Sequence, residues 1–179
     1  MKWYTRFEDI DHGDRSSFRF QKTVRYPFIL EEPITIAKEN KKYSILKSFQ
    51  FNRVHIPDFS YEITGHDIIY NVEFIKGTHL NPISFMHHAK IIYEDLVDND
   101  KEWGFHDLNP EDFIFEGNTN KLYLVDFESF EKMTLKEKEI DHQKTVRRVV
   151  SRLHKHYNWK DIKDLQNRNP SRETHIFWK

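Results

Sequence analysis

Cysteine is absent from the 179 residues, which excludes disulfides, thiolate metal sites and a cysteine nucleophile. Glycine is scarce at 5 and proline at 6, too few for a flexible linker or a low-complexity tract, and no internal repeat is present. An excess of one charge is also missing, since 28 Lys and Arg stand against 29 Asp and Glu for a net −1. That balance excludes a polybasic nucleic-acid coat and an acidic tail. No apolar run approaches the ~20 residues that span a bilayer. The opening MKWYTRFEDIDHGD places aromatics and acids where a signal peptide carries a continuous apolar stretch. The expected location is therefore the cytoplasm, with no membrane partner.

Aromatic surface is what the chain has in quantity. Hydrophobic residues are only 37% and charged residues reach 32%, a balance that by itself tends toward disorder. Against it stand Phe 15, Tyr 8 and Trp 4, side chains that each bury roughly 150–250 Å². The length then suits one ordinary domain or two very small lobes. Trp3, Trp103, Trp159 and Trp178 are expected as core and interface anchors.

Along the chain, Ser16 to Val24 alternates, with Phe18, Phe20, Lys22 and Val24 on one face, which reads as a strand. After Pro33, the residues Ile36, Tyr43, Leu46 and Phe49 recur at helical spacing. FSYEIT and IIYNVEFI flank Gly65-His66-Asp67 as a hairpin, and Gly77 closes its second strand. Pro82 opens a helix with Met86, Ala89, Tyr93 and Leu96 on one face, fading through DNDKEW to a stop at Gly104. The turn Glu116-Gly117-Asn118 leads into the strand KLYLVDF. A last helix is expected near Ile140 to Tyr157, with Val146, Val149 (or Val150), Leu153 and Tyr157 inward and Arg147-Arg148 on a solvated face. The polar tail with Phe177 and Trp178 reads as a surface strap. This order predicts an α+β fold with a strand-rich part over 1–77, a mostly helical part over 78–179 and a cleft between them. The two parts form one structural unit, because 77 residues alone would be marginal.

The chemistry-bearing residues concentrate between Gly104 and Glu128. The count of acids there carries no weight in a chain with 29 of them; their context does. Asp107 follows a helix and a glycine within His106-Asp107-Leu108-Asn109-Pro110. Asp112 precedes the apolar Phe113-Ile114-Phe115, and Asp126 ends the strand Leu122-Tyr123-Leu124-Val125. One such carboxylate can accept the proton of an attacking hydroxyl while two hold Mg²⁺ against ATP phosphates, an arrangement suited to phosphoryl transfer. The competing reading makes the three ordinary loop and cap residues, since turns and helix N-caps favour aspartate. Asp126 with Glu128 as a metal nuclease lacks the basic groove that nucleic acid requires. His87-His88 are adjacent and His154 and His156 lie two apart, so neither pair shares a helix face for a metal.

HDLNPEDFIF followed by LYLVDFE resembles the catalytic and metal-binding loops of the protein-kinase-like superfamily. The likeness is nearer to the atypical and small-molecule kinases (aminoglycoside phosphotransferases, choline kinases, lipopolysaccharide kinases) than to classical protein kinases. The resemblance implies a compact two-lobed kinase-like fold with a small β-rich N-lobe and a reduced helical C-lobe. It implies Asp107 as the catalytic base, Asp112 and Asp126 as metal ligands, and residues 73–77 as the hinge, with Glu73 and Ile75 beside adenine. It further implies that Lys22 paired with Glu39, or alternatively Lys38, neutralises the phosphates, that Asp141 braces the catalytic loop from the last helix, and that His106 helps hold that loop. The chain departs from the family in having Asp112 where asparagine is usual. It also lacks G-x-G-x-x-G, the nearest segment being His12-Gly13-Asp14-Arg15-Ser16-Ser17. The expected function is ATP- and Mg²⁺-dependent transfer of the γ-phosphate to a hydroxyl acceptor, with a protein among the acceptors that so short a C-lobe suits. The alternative is a kinase-shaped pseudoenzyme that acts as a nucleotide-binding or protein-interaction module.

Overall fold

The structure, a computed structural model, describes residues 19–99 and 101–156. The readings for Trp3, Trp159 and Trp178, for the His12–Ser17 segment, for Phe18 and Tyr157 and for the tail lie outside these residues. Elements follow in the order β1 (Arg19–Arg25), α1 (Pro33–Ser48), β2 (Val54–His55), β3 (Phe59–Thr64), β4 (Asp67–Glu73), β5 (Thr78–His79), α2 (Pro82–Leu96), β6 (Trp103–Phe105), a 3₁₀ turn (Pro110–Asp112), β7 (Phe113–Glu116), β8 (Lys121–Leu124), β9 (Phe130–Lys132) and α3 (Leu135–His156). The fold class is α+β. The described residues divide into two compact units, one holding 19–50 and 56–76, the other 51–55, 77–99 and 101–156.

In the first unit β1, β4 and β3 form an antiparallel sheet in that order. The β3–β4 hairpin turns at Gly65, whose φ of +58° favours a residue without Cβ. Register sets Lys22, Tyr70 and Tyr61 opposite one another, and Val24, Ile68 and Ile63 likewise. Directly paired residues share a sheet face, and this is the face that α1 covers. Tyr43 of α1 is fully buried, with its ring 5.9 Å from Phe59, 4.5 Å from Tyr61 and 5.6 Å from Tyr70. The Tyr43 and Tyr70 hydroxyls hydrogen-bond to each other, which satisfies two phenols that burial would otherwise penalise. Leu46 is buried beside Tyr43, whereas Ile36 and Phe49 are only half-buried.

The second unit holds a four-stranded sheet, β2-β8-β7-β5, and the β6-β9 pair. Pro82 at the first turn and Asn81, whose side chain accepts from the Ile83 and Ser84 amides at 2.9 Å, start α2. Its inward residues are Phe85, Ala89, Ile92, Asp95 and Leu96, one step round from the expected Met86–Tyr93 face. The helix ends at Leu96, and Gly104 does not stop it. Gly104 instead lies inside β6 opposite Glu131, and a Cβ there would meet the Lys138 stem at 2.7 Å. Buried Asp95 anchors β2: its Oδ2 accepts the Arg53 amide at 2.6 Å and the Val54 amide at 2.8 Å. α3 opens on Thr134, whose amide and hydroxyl donate to Glu137 Oε2 at 2.8 Å, while the Glu137 amide donates back to Thr134 Oγ1 at 3.3 Å. Among the described residues no helix is long and apolar enough to cross a membrane.

Candidate functional site

The Asp107 loop is held by one face of α3. Four-three-four spacing places Asp141, Thr145, Arg148 and Arg152 along one stripe of the helix, and all four contact the 107–111 segment. Asp141 Oδ2 accepts the Asp107 amide at 2.6 Å. Thr145 Oγ1 donates to the Leu108 carbonyl at 2.8 Å. Arg148 Nη1 donates to Asp107 Oδ1 at 2.6 Å, and its Nη2 reaches the Leu108 carbonyl at 3.3 Å. Arg152 pairs with Glu111 at 2.6 Å. The neighbouring stripe, His142, Val146, Val149 and Leu153, is buried, so core packing fixes the azimuth at which the polar stripe meets the loop.

Held this way, Asp107 has φ +56°. The left-handed region costs most L-residues roughly 1–2 kcal/mol, less for aspartate, whose short polar side chain bonds locally. Asn109 Nδ2 closes the turn on the Asp107 carbonyl at 2.9 Å. The Asp107 carboxylate is 70% exposed. His106, also exposed, lies with Nε2 3.8 Å from Glu131 Oε1.

The β7–β8 ladder brings the backbones of Asp112 and Asp126 to one end of the sheet. Phe113 opposes Leu124, and one step beyond it the Val125 amide donates to the Asp112 carbonyl at 2.8 Å. Asp126 is the next residue. Asp112 Oδ2 accepts the Asn109 amide at 2.6 Å, so the residue that pins β8 through its backbone carbonyl also ties the ladder to the Asp107 turn through its side chain. Among the described residues, no three His, Asp or Glu side chains are grouped to hold a metal ion. In general, Mg²⁺ that arrives on nucleotide phosphates takes one or two carboxylates plus phosphate oxygens.

The remaining candidates lie in the first unit. Lys22 is half-buried, with register setting it on the α1-covered face opposite Tyr70. Glu39 of α1 forms an ion pair with Lys42 at 3.5 Å. Its charge, after the larger effect of burial, helps raise the Tyr61 phenol above its usual range. Lys38 is exposed. Glu73 ends β4, where its amide donates to the Asp58 carbonyl at 2.8 Å and its carboxylate accepts the Asp58 amide at 3.1 Å. Ile75 is buried and Phe74 is 55% exposed.

The sequence pattern places Arg148 with Arg147 on a solvated helix face. Arg147 is exposed, but Arg148 turns to the loop, and so do Thr145 and Arg152, which no motif marks. A signal was present: a polar stripe repeating the spacing of the apolar one. Beside it, burial holds the His142 imidazole down to about 4 against the opposing charge of Asp141. Compared with known proteins, the chain matches no family model and no curated protein.

Proposed function

We propose that the chain is a phosphotransferase of the protein-kinase-like type, acting with ATP and Mg²⁺ on a hydroxyl acceptor, with a protein hydroxyl among the candidates. The observation that carries this reading is the Asp107 turn: a carboxylate in a left-handed conformation, held by a dedicated stripe of α3 and open to solvent. Asp107 takes the proton of the acceptor hydroxyl. Asp112 and Asp126, both near the same end of the β7–β8 pair, hold the cation. Mg·ATP supplies the transferred group and neutralises charge as it develops. On this reading the strand-rich unit with α1 and the helix-rich unit are the reduced lobes of a kinase-like fold. Glu73 and Ile75 then lie beside adenine, with Lys22 and Glu39, or Lys38, at the phosphates, and His106 and Asp141 supporting the loop. Catalysis of this kind rests on positioning and charge neutralisation, so few residues suffice.

One observation favours the second reading, a kinase-shaped binding module without turnover: the Asp107 carboxylate is already ion-paired with Arg148. Thermal unfolding with and without Mg·ATP, on wild type and Asp126→Asn, separates the phosphotransferase from a protein-docking module, and phosphate release separates it from a module that binds nucleotide without turnover. Ligand bound only by the native state at about 100 times Kd adds roughly 2.7 kcal/mol. The phosphotransferase reading expects such a stabilisation, dependent on Mg²⁺ and lost in Asp126→Asn. No shift at millimolar Mg·ATP overturns it in favour of a module that docks to a protein.

A further inference from the structure

We propose that Arg148 is a positioning residue for Asp107, its guanidinium holding the carboxylate in one orientation so that an acceptor hydroxyl meets the same oxygen at each turnover. The inference rests on the phosphotransfer reading for what Asp107 does, and on geometry alone for how Asp107 is held. Asp141 and Arg148 divide the work. Asp141 takes the Asp107 amide and so fixes the backbone, whereas Arg148 takes Oδ1 and so fixes the side chain.

The guanidinium is itself fixed from behind. Nη2 donates to the Leu108 carbonyl at 3.3 Å and to Thr145 Oγ1 at 3.2 Å, and Thr145 is buried. Two points of attachment set the plane of the guanidinium before the carboxylate engages it. The carboxylate, 70% exposed on its own account, then has one preferred rotamer. Oδ1 is occupied, which leaves Oδ2, without a hydrogen-bond partner among the described residues, as the oxygen that receives a proton. A lysine at 148 could reach Oδ1, but a point charge on a flexible stem does not hold a carbonyl and a hydroxyl in the same plane. An exposed ion pair of this kind adds little to stability, so its value lies in orientation.

Phosphate release from Mg·ATP, with water as acceptor, tests the proposal on wild type, Arg148→Gln and Arg148→Lys. Loss of orientation should lower kcat by about tenfold or more in Arg148→Gln, with KM for Mg·ATP within about twofold, and Arg148→Lys should recover only part of the rate. An unchanged kcat in Arg148→Gln overturns the proposal. So does a raised KM at constant kcat, which would make Arg148 a nucleotide-binding residue. Failure of the phosphotransfer reading is separate and visible as wild-type release no faster than that of Asp107→Asn. Side-chain couplings then decide the geometric claim. The Asp107 χ1 couplings should report one rotamer in wild type and an average over several in Arg148→Gln, while the Asp107 amide, held by Asp141, keeps its exchange rate. A single rotamer retained in Arg148→Gln overturns the proposal whatever the activity.

Discussion

Single residues set two measurable properties of this chain. His142 is buried against the Tyr93 ring at 5.2 Å, and burial lowers its pKa to about 4. A histidine whose folded pKa lies below its unfolded value stays neutral in the fold and charges on unfolding. The unfolded chain therefore binds more protons between the two values. Stability is unaffected by His142 above about pH 6.5, falls as pH drops from there toward about 4 at up to about 1.4 kcal/mol per unit, and is flat below. Melting curves of wild type and His142→Phe across pH 7 to 4 should diverge over that window, the variant losing less; parallel curves would assign the acid sensitivity elsewhere. At Asp107 the backbone is the constraint. With φ at +56°, Asp107→Gly should be more stable than Asp107→Ala by about 1 kcal/mol, even though glycine carries more entropy in the unfolded chain. Alanine proving the more stable would show that the turn relaxes without the aspartate.

At the scale of elements, α3 shows what local pattern does and does not reveal. Its inward residues Val146, Val149 and Leu153 are readable because apolar side chains at helical spacing have one sensible destination. The apolar spacing places its start near Ile140, whereas Thr134 and Glu137 form a capping box that the sequence displays three residues apart. The stripe of Asp141, Thr145, Arg148 and Arg152 has the same spacing as the core stripe, but apart from Asp141, which the family resemblance assigns to the loop, polar side chains on a helix are assigned to solvent by default. Only the loop they meet shows otherwise for Thr145, Arg148 and Arg152. Thr145→Val tests that stripe without touching charge. It removes a donor to the buried Leu108 carbonyl and should cost about 1–2 kcal/mol, with Thr145→Ser retaining most of it. A cost below that of Thr145→Ser would make the hydroxyl incidental. The short strands β2, β5, β6 and β9 were not readable for a different reason. Each has two or three residues, too few to display an alternation, and their partners are remote in sequence.

Chain path governs stability at the scale of the whole molecule. Residues 51–55 belong to the second unit although the chain on both sides of them belongs to the first. A boundary drawn from composition near Gly77 cannot reveal such a crossing, because Val54 and Leu122 pair across a gap that no local window spans. Asp95 depends on this crossing. It is 4% exposed, its Oδ2 is satisfied by the Arg53 and Val54 amides, and its Oδ1 has no hydrogen-bond partner among the described residues. In the full chain, Asp95→Leu orphans two backbone donors and should cost about 2–3 kcal/mol. In a fragment of residues 77–179 those donors are missing and water can take their place at the carboxylate. The same Asp95→Leu substitution should therefore cost the fragment about 0.5 kcal/mol or less. Urea unfolding of both lengths, each with and without the substitution, reads the difference directly. Equal destabilisation in both lengths would mean that groups within 77–179 satisfy Asp95, and that β2 is an accessory to the second unit. A cost confined to the full chain would establish that the crossing strand completes its core.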